Sequence, residues 1–190
     1  MERAAIVGCV LAGSTILAQE ARAQNMMAEI LGGIRFEDRL EYGTSDFDTD
    51  SGSIFGLRGL YLFSSSLAFG VELNATRAEY TGFDTAVNSN AAMAIARYSV
   101  PASSGVDLYG TLGLGAVRVE YDGSTLAAAF TGTDTVPGGQ ISLGAAVEVT
   151  PQVAIFGELT HQTTFDDASI QGISVEYEST TLAAGVRFSF

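Results

Sequence analysis

Thr180-Thr181-Leu182-Ala183-Ala184-Gly185-Val186-Arg187-Phe188-Ser189-Phe190, the last eleven residues, decide how the rest of the chain is read. Leu182, Ala184, Val186, Phe188 and Phe190 alternate with Thr181, Ala183, Gly185, Arg187 and Ser189. A period of two is that of a β-strand with one apolar face and one small or polar face. In water, such an apolar strand at a sheet edge invites aggregation, and terminal residues fray. In a barrel closed within a lipid bilayer the apolar face meets lipid, and Phe190 belongs to the interfacial aromatic girdle.

The other end of the chain supports export. Met1–Ala23 has the parts of a secretory signal peptide: Arg3 in the n-region, an apolar run over Ala4–Ala18, and Ala21-Arg22-Ala23 as an A-x-A cleavage site. The apolar run is too short for a transmembrane helix, which needs about 20 residues. Ile6-Val7-Gly8-Cys9 resembles a lipoprotein processing box, but the apolar run continues past it, so Cys9 is read as an h-region residue. The expected organisation is a signal peptide over residues 1–23 and one domain over 24–190, beginning at Gln24.

The domain would then contain no cysteine, which leaves no disulfide or thiol chemistry. Removing Arg3, Arg22, Glu2 and Glu20 with the leader takes the nine basic residues to seven and the 22 acidic ones to 20, so the net charge stays at −13. A chain without lysine and this acidic does not bind nucleic acid electrostatically, because phosphate contacts need clustered cations. The chain is nevertheless 47% hydrophobic. Its longest charge-free runs after the leader, Gly59–Val71 and Thr135–Val147, are too short to span as helices. Apolar residues spread over short alternating segments, with acids collected between them, resolve that conflict as a barrel.

Eight such segments are expected: Met27–Glu37, Ser53–Tyr61, Leu67–Tyr80, Asn90–Tyr98, Val106–Tyr121, Gly139–Val149, Val153–Thr163 and Val175–Phe190. Phe63–Ser66, Pro101–Gly105 and Thr150–Gln152 read as short turns, whereas Asp38–Ser51, Gly82–Asn88, Asp122–Gly138 and Phe165–Ser174 read as long connections. Short turns on one side and long loops on the other describe an antiparallel up-and-down barrel with short periplasmic turns. In the fifth segment the apolar positions pass from Leu108, Leu112 and Leu114 to Val117, Val119 and Tyr121, which predicts a bulge near Gly115. A soluble eight-stranded barrel would put its apolar face inward. The small, sparsely charged second face here suits a narrow interior instead.

On these features the chain resembles the eight-stranded outer-membrane β-barrels of Gram-negative bacteria, the superfamily of the OmpA-type transmembrane domain, the opacity-like surface antigens and small porin-family proteins. The residues that carry the resemblance are the leader, Leu31-Gly32-Gly33-Ile34-Arg35-Phe36, Gly70-Val71-Glu72-Leu73, Gly113-Leu114-Gly115 and Val186-Arg187-Phe188-Ser189-Phe190. It implies an all-β, eight-stranded transmembrane barrel in the outer membrane, among lipids and lipopolysaccharide. It also implies that Phe190 ends the signal read by the barrel-assembly machinery.

Parity puts Arg35, Arg58 and Arg187 inside with Glu72, Glu148 and Glu158. Buried charges pair, because an uncompensated one is very costly. The expectation is one lumenal network of these six that fills an interior only wide enough for side chains. Asp46-x-Asp48-x-Asp50 resembles the start of a calcium loop, but Gly52 falls one position late and Leu57 stands where the bidentate Glu belongs, so a solvated acidic loop is expected. His161, the single histidine, precedes Thr163 on the seventh strand, with Glu176 and Glu178 entering the eighth. Outer-membrane lipid A deacylases are similar in outline, with Ser in place of Thr163 and a Glu on the next strand. His161 has lipid-facing parity, and an interfacial histidine is the simpler reading. The functional expectation is a non-enzymatic membrane barrel with a structural or surface-interaction role, without cofactor or metal and open to an extracellular ligand. A small solute channel is the alternative, and a lipid-modifying enzyme the second alternative.

Overall fold

The computed structural model describes residues 25–36, 39–42, 45–48, 52–80, 85–123, 130–175 and 177–190. The expected leader, Cys9 and Asp50 lie outside these residues, as do the side chains of Asp46 and Asp48. The architecture is a closed, all-antiparallel eight-stranded barrel. Its strands are β1 (Met26–Phe36), β2 (Gly52–Leu62), β3 (Leu67–Tyr80), β4 (Thr85–Ser103), β5 (Val106–Gly123), β6 (Phe130–Thr150), β7 (Val153–Thr164) and β8 (Glu178–Ser189). Each strand pairs with the next, and β8 returns to β1. Two short hairpins form separate two-stranded sheets, Arg39–Tyr42 with Ser45–Asp48 and Ala168–Ile170 with Ile173–Val175.

Closure satisfies every strand edge at membrane depth, which lipid cannot do. Stepping across the ladder from Phe36 meets Thr180, His161, Ile141, Leu112, Ala96, Phe69 and Tyr61 and returns to β1 at Met26, ten residues from its start. Such a stagger around eight strands tilts them by roughly 35–45° to the axis. Outward positions are apolar and exposed, among them Ile30, Leu57, Val71, Leu112, Leu143, Ile155 and Leu182. Inward positions are buried, and many are polar.

The strand lengths depart from expectation on one side of the barrel. β4, β5 and β6 have 19, 18 and 21 residues, against 11 or 12 in β1, β2, β7 and β8. Residues 85–88 and 130–138, read from sequence as parts of the connections Gly82–Asn88 and Asp122–Gly138, belong to strands. Pro101, expected in a turn, lies in β4 at a register shift before Ser103, and the turn itself is Ser104-Gly105, with Gly105 at φ +76. The eighth strand starts at Glu178, and Val175 belongs to the short hairpin.

The predicted bulge near Gly115 is absent, because pairing is continuous through Gly115 on both sides of β5. The side-chain parity does not switch; its polarity does. Leu112 and Leu114 face out and Tyr109 and Thr111 face in, whereas higher up Arg118 faces out and Val117, Val119 and Tyr121 are buried inside. Above the lipid the outer face meets water, so the apolar residues belong on the inner face, as in a soluble sheet. The β4–β6 wall therefore projects beyond the bilayer with an ordinary aqueous exterior.

The Ala168–Val175 hairpin packs on the inner side of that wall. Ala168 and Ile170 are buried, and a Cβ on Gly132 would lie 2.6 Å from Ile170 Cγ2, so the glycine clears the space that Ile170 occupies. Gln171 and Gly172 both have positive φ, as a tight two-residue hairpin turn requires. The edge of β6 above its pairing with β7 is covered by the same hairpin. Ser169 N donates to Asp134 Oδ2 at 2.7 Å, and Gln171 Nε2 donates to Thr131 O at 3.0 Å. Pro137 sits where the β6–β7 ladder ends, so its missing N–H costs no sheet bond, while its carbonyl accepts from Phe165 N at 2.9 Å.

Candidate functional site

The lumen holds the chemistry. Arg58 on β2 and Glu72 on β3 are direct cross-strand partners, as their positions about the Phe63–Ser66 turn imply, and Arg58 Nε donates to Glu72 Oε2 at 2.6 Å. The same guanidinium grips both oxygens of Glu158 on β7, with Nη1 at 2.7 Å from Oε2 and Nη2 on Oε1. It also reaches Glu29 Oε2 at 3.3 Å. Glu29 on β1 is the hub. Beyond Arg58 it accepts from Arg97 on β4, from Nη1 on Oε1 and from Nη2 on Oε2 at 2.9 Å, and from Arg187 Nε on β8 at 2.7 Å. Three arginines thus meet three glutamates, all six at most 6% exposed. Buried charges of one sign are balanced one for one, which avoids the cost of an unpaired ion in a dry interior.

Neutral groups complete the shell. Gln140 Nε2 and Asn74 Nδ2 donate to Glu72 at 2.7 and 2.9 Å. Tyr109 OH donates to Glu158 at 3.1 Å, Thr160 Oγ1 donates to the same carboxylate at 3.3 Å, and Arg97 Nε donates to Thr111 Oγ1 at 3.2 Å. The Arg97 guanidinium lies 4.3 Å from the Tyr109 ring centroid, a cation–π contact, and Arg187 lies over the same ring at 5.3 Å. Room for that ring comes from Gly144 opposite, where a Cβ would stand 2.4 Å from Tyr109 Cζ.

Of the six residues expected in one network, Arg58, Arg187, Glu72 and Glu158 come together, and two do not. Arg35 is buried one level higher, where Nη1 donates to Thr76 Oγ1 at 3.0 Å and the guanidinium lies 5.0 Å from the Tyr177 ring centroid. β8 does run beside β1, but Arg35 pairs across to Thr181 and Arg187 to Glu29, six residues down the strand. Glu148 is exposed. It has inward parity but falls below the last buried position of β6, beside the register shift before Thr150, and its cross-strand partner is Ala154, not Glu158. There it lines a periplasmic pocket of about 210 Å³ with Asp107, Arg187 and Ser189.

Glu29 and Arg97 take their places, and the reading of sequence missed both. Glu29 shares parity with Leu31 and Arg35, so extending the first strand's inner face by one position finds it. Arg97 was hidden by the low contrast of Ala91–Ala96, where no parity stands out.

Above the ionic layer come Thr76, Ser89 and Tyr177, with Ser89 Oγ 2.6 Å from Tyr177 OH and 2.7 Å from Thr76 Oγ1. Val87, Val117, Val119, Tyr121 and Ile170 form an apolar layer at the outer end. His161 faces outward and is half-buried. Its Nδ1 is 3.1 Å from Thr180 Oγ1 and its Nε2 is 3.4 Å from Glu178 Oε1. The hydroxyl beside it is therefore Thr180, while Thr163 donates to the Thr164 carbonyl at 3.3 Å.

Phe190, the expected assembly signal, is 55% exposed and exchanges backbone bonds with Met26, donating at 2.9 Å and accepting at 3.3 Å.

No curated protein sequence matches the chain. Among solved structures, it is similar to Neisserial surface protein A, with 19% identity, a TM-score of 0.61 and coverage of 87% of this chain and 97% of that one. The N-terminal barrel domain of OprF from Pseudomonas aeruginosa aligns with 15% identity and a TM-score of 0.55, over 89% of this chain and all of that one. Ail, the attachment invasion locus protein of Yersinia pestis, aligns with 16% identity and a TM-score of 0.52, over 87% of this chain and all of that one. At such identities the likeness is one of fold. The family model of the outer membrane protein beta-barrel domain matches residues 8–190, and the chain belongs to that family of bacterial outer-membrane proteins.

Proposed function

We propose that the protein is a sealed, non-enzymatic outer-membrane barrel whose role is structural and surface-facing. The observation that supports this is the stacking of three filled layers in the lumen: the ion-paired layer around Glu29, the Thr76–Ser89–Tyr177 layer, and the apolar layer closed by Ile170. Ions cross such an interior only if several buried pairs separate together. Purified protein refolded into planar bilayers is expected to give no conductance steps. Regular steps in the wild type would make it a small solute channel instead.

The working surface is then the projecting β4–β6 wall with its loops. Ail of Yersinia pestis has been solved with the heparin analogue sucrose octasulfate. A soluble polyanion of that kind does not suit a chain of net charge −13, so a soluble ligand of the surface above the membrane would be neutral or cationic. Export with cleavage before Gln24 belongs to the same reading, and N-terminal sequencing of protein from outer membranes checks it. Retained Met1 would contradict it.

A lipid-modifying activity has one observation in its favour, the imidazole of His161 held between the Thr180 hydroxyl and the Glu178 carboxylate. Thr180 is nearly covered, however, at 9% exposure. Release of acyl chains from lipid A that disappears in His161→Ala would favour the enzyme.

A further inference from the structure

The seven arginines after the leader are the domain's only formal side-chain cations. Four of them, Arg35, Arg58, Arg97 and Arg187, are spent inside the lumen. Arg39 lies in the first external hairpin. The remaining two, Arg77 and Arg118, are exposed on the outer surface and stand close together. Arg77 on β3 pairs across to Asn88 on β4, and Arg118 on β5 pairs across to Asn90. The two guanidinium-bearing positions therefore flank β4 from either side, with Asn88 and Asn90 between them. Two strand spacings across and a two-residue offset along the strand put their Cα atoms about 12 Å apart, within reach of one shared ligand for two side chains of this length.

Their level in the barrel is equally specific. Climbing the outward face of β3, Phe69, Val71, Leu73 and Ala75 end at Arg77; climbing β5, Leu108, Leu112, Leu114 and Ala116 end at Arg118. Each arginine is the first charged residue above the lipid-facing run, at the extracellular boundary of the apolar belt. There an arginine lays its stem along the belt and holds its head at the depth of lipid headgroups. A guanidinium binds phosphate oxygens through a planar, two-pronged fork. The asparagines add amide donors between the forks.

We propose that Arg77 and Arg118, with Asn88 and Asn90, form a seat for the phosphate of an anionic lipid headgroup in the outer leaflet. On a strongly acidic chain, this seat supplies the attraction that keeps a phosphorylated glycolipid against the β3–β5 wall. Glu120, the cross-strand partner of Asn88 one row above Arg118, competes for the same arginines. The seat does not depend on whether the lumen is sealed.

Native mass spectrometry of the folded, detergent-solubilised barrel tests this, with lipid A carrying both phosphates as the probe, its dephosphorylated form and phosphatidylcholine as controls, and inorganic phosphate as competitor. The wild type is expected to retain the phosphorylated lipid at least tenfold better than either control. The double variant Arg77→Gln/Arg118→Gln should lose that margin and leave retention of the controls unchanged. Glu120→Gln keeps both arginines and serves if the double variant does not fold; it should tighten retention. Equal retention of phosphorylated and dephosphorylated lipid, unchanged retention in the double variant, weaker or unchanged retention in Glu120→Gln, or complete displacement by inorganic phosphate at a concentration equal to that of the lipid would each overturn the proposal.

Discussion

Arg58 and Glu158 stand three strands apart around the barrel wall, on β2 and β7, and meet in the lumen through two parallel hydrogen bonds. With Glu72 and Glu29 on the same guanidinium, Arg58 ties four strands together through one side chain. The centre of the network nevertheless lies at Glu29, which serves three arginines.

The carboxylates should therefore differ in their cost of removal. Glu29→Ala takes from the buried Arg97 and Arg187 the carboxylate they share and is expected to destabilise the barrel by about 3–5 kcal/mol. Glu72→Ala should cost less, because Arg58 keeps Glu158 and Glu29. Replacing Arg58 and Glu72 together by apolar residues should cost less than the sum of the single changes. Urea unfolding in detergent micelles measures all of these. Equal losses for Glu29→Ala and Glu72→Ala would place the hub elsewhere.

Gly144 should tolerate no side chain. A Cβ there meets the Tyr109 ring at 2.4 Å, and displacing that ring disturbs both the Arg97 cation–π contact and the Glu158 hydrogen bond. Gly144→Ala is expected to cost about 1–3 kcal/mol by overpacking. Gly110→Ala is the control, since its Cβ would meet Leu143 Cδ2 at an ordinary 3.6 Å. Comparable urea midpoints for the two variants would refute this.

Docking of the Ala168–Val175 hairpin should depend on pH. The Ser169 and Thr135 backbone amides, donating to Asp134, hold its carboxyl below the ordinary aspartate range. Because the folded value is the lower one, the stabilisation is complete above the ordinary aspartate range and is lost as the pH falls through and below it. Amide exchange at Ser169, compared between wild type and Asp134→Ala, should show protection in the wild type at neutral pH. That protection should fade on acidification, and the variant should lack it throughout. Exchange at Ser169 that does not respond to the substitution would mean the hairpin is held by Ile170 and the Gln171–Thr131 hydrogen bond instead.

Deleting Phe190 should impair assembly into the outer membrane more than it lowers the stability of barrel refolded in vitro. Its ring is exposed, so the folded barrel loses little beyond two backbone bonds to Met26, each contributing about 1 kcal/mol. Heat-modifiable mobility in cells, set against urea unfolding of refolded protein, separates the two effects. Proportionate losses in both would assign Phe190 to packing.

What the sequence by itself determined is the part governed by local period. Alternation over Leu182–Phe190, Leu67–Ala75 and Val153–Thr163 reports which side chains meet lipid. The short turns at Phe63–Ser66 and Pro151–Gln152 fix the antiparallel neighbours, so the Arg58–Glu72 pair follows from counting back from a turn. The tertiary structure alone decided where the solvent outside each strand changes from lipid to water. One continuous parity along β5 therefore looks like a bulge when hydrophobicity is the only guide. It also decided the choice of partners in the lumen. Glu29 meets Arg97 because curvature and a stagger of ten residues bring the interiors of β1 and β4 to one level. Glu148 keeps inward parity yet faces the periplasm, because it lies beyond Ala146, the last buried inward position of β6, where the lumen opens into the periplasmic pocket.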